Sequence, residues 1–246
     1  MSLLLNGDCL EQLSNVDDNS VDFIFCDLPY GQTACKWDTI IPWEPFWKEI
    51  MRVKKIKTPI FFTTTTKFGV NIINNAPKKC PFRYDLVWVK SSGAGFLHSS
   101  KMPLRKHEMV YVFYEKLPFY DISSHQHKFI KTQEDKFSNG TINSKTYDIP
   151  NKSKGGMYRS PAGKYDPPLP TTMLEIKSTR GKHSTEKPVA LIEWLLKYYS
   201  KEGDTVLDPT MGSGSTGIAC KNMKRNFIGI EKDPEIYQVA VNRIED

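Results

Sequence analysis

Two apolar runs at opposite ends of the chain each stop at an acidic turn that contains proline. Near the N-terminus Val21-Asp22-Phe23-Ile24-Phe25-Cys26 gives way to Asp27-Leu28-Pro29-Tyr30, and near the C-terminus Thr205-Val206-Leu207 gives way to Asp208-Pro209-Thr210-Met211-Gly212-Ser213-Gly214. Short runs rich in β-branched and aromatic residues read as strands. In an open α/β sheet, ligands bind outside the carboxyl ends of the strands, where the winding reverses. The two acidic ends are therefore expected to be neighbours in space, although almost the whole chain separates them.

Strand-like runs recur at residues 2–6, 21–26, 59–65, 86–90, 109–114, 205–208 and 227–231. Helix-like stretches alternate with several of them. Residues 43–53 are amphipathic, residues 188–199 open with a proline in the first turn and repeat apolar residues at helical spacing, and residues 215–223 and 234–244 complete the set. Strands alternating with helices imply an α/β fold: a doubly wound, mostly parallel, seven-stranded sheet covered on both faces. Residues 116 to about 180 break the pattern with Ser, Asn, Lys, Pro and Gly and few apolar runs. Long irregular segments inside a domain are more often functional than core, so this one reads as an inserted recognition segment. The expected division is a first half at 1–115, the insert at 116–182 and a second half at 183–246.

Charge singles out the same region. Between Lys90 and Lys187 there are 17 Lys and Arg against 9 Asp and Glu, a local +8 in a chain whose net charge is +6. Such an excess is either a solvated face or a docking surface for a polyanion. No run of about 18 apolar residues is present and no signal peptide opens the chain, so a soluble, intracellular, cytoplasmic protein without a membrane partner is expected. The 5 cysteines form no C-x-x-C pair, and His125 and His127 lack acidic or cysteine companions at ligand spacing, so neither disulfides nor a metal is expected.

Gly212-Ser213-Gly214-Ser215-Thr216-Gly217 is a G-x-G-x-x-G between a strand and a helix. The next strand ends in Gly229-Ile230-Glu231, where a carboxylate can take ribose hydroxyls. A pyrophosphate at the helix N-terminus would be repelled by Asp208, which stands just ahead of the glycines, whereas an ammonium and a sulfonium would be attracted. S-adenosylmethionine therefore fits better than a dinucleotide. The alternative is a glycine turn that only packs a helix close to its sheet.

The Asp27 turn asks for another chemistry. An exocyclic amine on a nucleobase is a poor nucleophile, because its lone pair is delocalised into the ring. The Asp27 carboxylate and the Leu28 carbonyl can both accept hydrogen bonds from such an NH2 group and so localise the lone pair. Pro29 fixes the turn and removes a competing N–H, while Tyr30 offers a π-face to a base extruded from its helix. Taken alone, these residues would more often be an ordinary strand-end turn; the glycine turn reverses that balance.

Asp27-Leu28-Pro29-Tyr30 resembles the D-P-P-Y catalytic motif of amino-group DNA methyltransferases, and Asp208 to Gly214 resembles their S-adenosylmethionine motif. His183-Ser184-Thr185-Glu186-Lys187-Pro188 is similar to the H-P-T-x-K-P segment of that family, and the order of the motifs is the circularly permuted order of its β class. Leu28 and Ser184 depart from the pattern; the first keeps the backbone carbonyl. The resemblance implies a Rossmann-like methyltransferase fold in which Asp27, Leu28, Pro29 and Tyr30 are catalytic. It assigns Asp8, Cys9, Thr185, Lys187, Asp208, Thr210, Gly212, Gly214, Ser215, Thr216 and Glu231 to S-adenosylmethionine, with Lys187 on its carboxylate. The segment Lys101-Met102-Pro103-Leu104-Arg105-Lys106-His107-Glu108 resembles one of phage-type members, which makes Lys101, Arg105, Lys106 and His107 candidates for phosphate contact, with a surface or cap histidine as the other reading of His107; Lys128, Lys131, Lys152 and Lys154 belong to the basic insert. Double-stranded DNA is the implied partner, and homodimerisation is left open.

In the family that the motif resembles, cytosine-N4 members usually carry Ser at its head, so the resemblance implies a preference for adenine-N6 over cytosine-N4. Cytosine-C5 transfer would need a nucleophilic Cys, and Cys80 precedes a proline where the usual order is Pro-Cys. A cytosine-N4 or RNA methyltransferase, or a silent nucleic-acid-binding subunit of the same fold, are the alternatives. Tyr111, Phe113 and Tyr114 read as core, and Trp37 and Trp43 either line the base pocket or pack.

Overall fold

The computed structural model describes residues 1–31, 38–122, 127–131, 163–178 and 186–245. In chain order the elements are β1 (Ser2–Asn6), α1 (Cys9–Gln12), β2 (Phe23–Cys26), α2 (Trp43–Val53), β3 (Ile60–Thr64), α3 (Thr66–Asn75), β4 (Phe82–Ala94), β5 (Arg105–Phe113), β6 (Lys128–Lys131), β7 (Gly163–Asp166), β8 (Met173–Leu174), α4 (Val189–Tyr199), β9 (Thr205–Asp208), α5 (Ser215–Asn222), β10 (Asn226–Glu231) and α6 (Pro234–Glu245). Eight strands form one sheet in the order β1-β10-β9-β2-β3-β5-β4-β8. The first five of that order run parallel, and β5 runs antiparallel to both β3 and β4. All seven expected strands are there. The eighth, two residues long, lies parallel to β4.

Strand β2 is buried along its whole length, as a central parallel strand covered on both faces must be. Helix α2 turns Phe46, Trp47, Ile50 and Val53 into the core, and α4 does the same with Leu191, Ile192, Leu195 and Leu196. Helix α3 has no counterpart in the sequence reading. Its TKFGVNIINN is poor in strong helix formers. It forms because the Thr65 hydroxyl caps Phe68 N–H at 3.2 Å and because Phe68 and Ile72 bury on the sheet.

The chain divides into two compact units, Met1–Tyr120 with Thr171–Asp246, and Asp121–Pro170. The second unit lies within the expected insert at 116–182. Residues 171–178 belong to the first unit and run along β4, where Val87 N–H bonds Thr172 O at 2.8 Å and Trp88 Nε1 bonds Ile176 O at 2.8 Å. Within the second unit β6 and β7 pair antiparallel. That stretch reads as irregular in sequence because KFIK and GKYD carry too little apolar alternation to announce strands.

Candidate active site

The register of the sheet lines up the chemistry. Ile24 pairs with Leu207 across β2 and β9, Asp208 with Gly229 across β9 and β10, Asn6 with Glu231 across β1 and β10, and Cys26 with Phe62 across β2 and β3. Extending each pairing by a few residues puts Asn6, Glu231, Thr210, Asp27 and Thr63 in one row at the carboxyl ends of five adjacent strands. The winding reverses between β9 and β2, so the two acidic ends are neighbours. A hydrogen bond of 3.2 Å from the Thr210 hydroxyl to the Asp27 carbonyl ties them together.

On the β2 side the Asp27 carboxylate is held from three directions. Thr63 Oγ1 donates to Oδ1 at 2.5 Å, Tyr30 OH lies 3.1 Å from the same oxygen, and Lys187 Nζ donates to Oδ2 at 2.7 Å. Tyr30 OH also reaches Glu108 Oε1 at 3.0 Å, and its ring packs on Phe68 with centroids 5.0 Å apart. Because β5 pairs Thr64 with Met109, Glu108 stands one step beyond the end of β3, directly over this cluster. Lys90 closes it at 2.6 Å from Glu108 Oε2, and Lys187 is 3.3 Å from Oε1. Two carboxylates and two ammonium groups thus share one part-buried pocket. Burial alone would raise the Glu108 pKa, but Lys187 and then Lys90 hold it below the ordinary carboxylate range. Burial works against the Lys187 ammonium, and Asp27 and Glu108 outweigh it and raise its pKa.

On the β9 side Asp208 is 2 % exposed. Burial pushes its carboxyl up to about 7, against hydrogen bonds from Thr216 Oγ1 at 2.5 Å and Thr210 N–H at 3.1 Å, with Asp27 and Glu231 adding to the rise. Glu231 accepts Gly212 N–H at 3.0 Å and Asp233 N–H at 2.8 Å; burial still raises its pKa. Asp8 caps α1 through Leu10 N–H and meets Lys232 Nζ at 3.0 Å. Ser215 bonds Glu186 at 3.0 Å, and Glu186 is clamped by Arg243 at 2.6 Å.

The two glycines of the turn differ. Gly212 has φ 52°, and a Cβ there would meet nothing within 4 Å, so its backbone faces open space above the strand ends. Gly214 has φ 86°, and a Cβ there would press on Ile244 and Ala240 of α6 at 3.0–3.2 Å. Its constraint is helix packing.

The remaining expected residues distribute as follows. Leu28 is buried with its side chain in the core, Pro29 follows it in the turn, and Cys9 is buried beneath the α1 turn with its thiol pushed up to about 12 by burial and then by Asp8. Lys187 meets Asp27 and Glu108, a placement outside the expectation from sequence. Lys101, Arg105, Lys106 and His107 are all exposed at the β4–β5 hairpin, and Lys128 is exposed on β6, which ends at Lys131. Thr185, Lys152 and Lys154 lie outside the described residues, as do Trp37 and His125. Tyr111 and Phe113 are core; Trp43 packs behind Tyr30, against Phe68. Sequence reasoning missed Thr63, Lys90 and the role of Glu108. A carboxylate opening an otherwise apolar strand, Glu108-Met109-Val110-Tyr111-Val112-Phe113, was the signal for the last. Among the described residues no group of three His, Cys, Asp or Glu could hold a metal ion, and no helix is long and apolar enough to cross a membrane.

Comparison with known proteins agrees with this geometry. Residues 21–242 match the family model described as DNA methylase. The Type II methyltransferase M.HinfI of Haemophilus influenzae is 27% identical over 273 residues, covering 100% of this chain and 69% of that protein. Two solved structures share the fold: the M1.HpyAVI–SAM complex, with TM-score 0.62, 22% identity and coverage of 99% and 100%, and the cytosine-N4-specific PvuII DNA methyltransferase, with TM-score 0.67, 16% identity and coverage of 100% and 86%. With its Asp27 and glycine turns joined at the reversal of a mostly parallel sheet and the family match running across nearly its whole length, the chain belongs to the DNA methylase family of N6- and N4-amino methyltransferases.

Proposed function

We propose that this chain transfers a methyl group from S-adenosylmethionine to the N6 amine of an adenine swung out of double-stranded DNA. The observation that carries this reading is the joint between the Asp27 turn and the glycine turn, made by Thr210 on the Asp27 carbonyl. It brings the Asp27 carboxylate close to the glycine turn, which supports reading the first as an acceptor for the amine and the second as a binding edge for a cationic nucleoside.

The donor set fits that cofactor. Glu231, fixed by two backbone N–H groups, would take the ribose hydroxyls; Asp8 would lie near the adenine; Asp208 and the open face of Gly212 would border the methionine part. When bound, S-adenosylmethionine supplies an electrophilic methyl on a sulfonium. The chain's own residues do the rest. Asp27 and the Leu28 carbonyl accept the two amine hydrogens, Tyr30 offers the ring face not covered by Phe68, and Thr63 holds the Asp27 carboxylate in its rotamer. Docking of the amine on Asp27 competes with Lys187, and Glu108 gives that ammonium a second carboxylate. The basic hairpin and insert supply phosphate contacts.

Expression in a host free of adenine and cytosine amino-methylation, followed by mass spectrometry and mapping of modified bases, tests the proposal. N6-methyladenine in one sequence context, absent with Asp27→Ala, is expected. N4-methylcytosine in its place would transfer the reading to cytosine, and an unmodified genome would overturn it.

A further inference from the structure

Beyond β4, the chain makes a tip that no part of the catalytic cluster uses. Residues 94–107 are all exposed, and Phe96 and Leu97 at the turn are 75% and 96% exposed. Met102 and Leu104 add two more exposed apolar side chains across the hairpin. The tip is built rather than slack: His98 N–H bonds Gly95 O at 2.9 Å, Ser99 N–H bonds Phe96 O at 3.1 Å, and Lys101 and Met102 N–H both bond His98 O at 2.9 and 3.0 Å. A rigid turn that holds two large apolar side chains in water is costly unless something covers them.

Charge and position name what covers them. From Lys90 to His107 the sequence has four cations, Lys90, Lys101, Arg105 and Lys106, and no carboxylate. A protein surface partner would be met by an apolar rim of mixed sign; a uniformly cationic rim around an apolar point suits a polyanion that also offers an apolar interior. The stacked bases of duplex DNA are such an interior. Because β5 is antiparallel to β3, the hairpin rises on the side of the sheet where Asp27 and Glu108 lie. Arg105 precedes Glu108 by three residues along one strand, about 10 Å.

We propose that Phe96 and Leu97 form a wedge that enters the duplex at the target step and fills the space left by the extruded base, while Lys101, Arg105 and Lys106 grip the flanking phosphates. This rests on the proposed base-extruding function. Apolar side chains are known to enter between base steps, where they part the stacked bases and bend the duplex, and extrusion costs least where the target is already unpaired.

The test uses the full chain, the duplex that carries its mapped methylation site, and the same duplex with an abasic residue opposite the target. Phe96→Ala combined with Leu97→Ala touches exposed residues only, so folding and S-adenosylmethionine affinity, read by melting and calorimetry, should be unchanged. Single-turnover methyl transfer to the paired duplex should fall about tenfold or more, and transfer to the abasic duplex should fall by less than about threefold, because the wedge is needed only where stacking and pairing must be broken. An equal fall on both duplexes, or none, would overturn the wedge. A change in oligomeric state of the variant in sedimentation would also overturn it, by showing that the tip meets a second copy of the chain. A wild type that methylates neither duplex would instead defeat the proposed function.

Discussion

Asp27 holds its place through groups that arrive from four different strands or loops: Tyr30, Thr63, Lys187 and the Thr210 hydroxyl on its carbonyl. On the proposed reading, replacing it by alanine should lower kcat by about 10²–10³-fold while calorimetry finds S-adenosylmethionine affinity within error of wild type, since the amine would lose an acceptor while the residues proposed for the cofactor, Asp8, Asp208, Gly212 and Glu231, lie outside the Asp27 turn. Glu108→Gln leaves Lys187 a single carboxylate, so the lysine should stay on Asp27 and compete with the substrate amine. Turnover is expected to drop about tenfold with cofactor affinity intact; unchanged turnover would mean the Lys187–Glu108 pair is idle. Asp208 carries a pH signature. Its carboxyl is raised by burial from 3.8 to about 7, so its share of stability is present at low pH and is lost as pH rises through about 7. A sulfonium or ammonium beside it favours the ionised form. S-adenosylmethionine affinity should therefore weaken as pH falls from about 8 to about 6, and the rise in melting temperature on adding it should be greater at the higher pH. Isothermal titrations at both values check the sign.

At the scale of elements, the glycine turn separates two requirements that a motif merges. Both glycines hold a positive φ, so valine at either costs about 1–2 kcal/mol of backbone strain; Gly212→Val should add a loss of cofactor binding, whereas Gly214→Val should lose about 1–3 kcal/mol more stability through the clash with α6, and denaturant melts and calorimetry of both variants distinguish them. The reverse pattern would place the ligand on the wrong glycine. The seven strands and four of the helices were legible in sequence because their apolar periodicity is strong and their ends are marked by Pro, Gly and Asp. Helix α3 was not, since its stability comes from Phe68 and Ile72 packing on the sheet. Nor was β8, two residues that pair only because β4 supplies a free edge. The positions of Asp27 and Glu231 at strand ends could be read because each directly follows or closes an apolar run. The Glu108–Lys90–Lys187 cluster could not, because antiparallel pairing of β5 and the return of the chain at Lys187 assemble it from three distant segments.

Across the whole molecule, positive charge is concentrated in the middle of the chain, and part of it stands on the exposed hairpin. Converting Lys101, Arg105 and Lys106 to glutamine should weaken duplex binding at every sequence and reduce the slope of log affinity against log salt by about 0.9 for each phosphate that is no longer neutralised. Sequence preference should survive, since phosphate contacts position and base contacts specify. Parallel salt slopes for variant and wild type would assign the hairpin charge to solvent. The row of strand ends from Asn6 to Thr63 has a further consequence for how this protein comes into being. Strand β1 waits for β10, and one edge of β2 waits for β9. A nascent chain released before Thr205 therefore carries bare apolar strand edges, which makes it prone to clump. A chain stopped there also lacks the glycine turn at Gly212–Gly214 altogether, so premature termination is expected to leave a sticky fragment without that half of the proposed site.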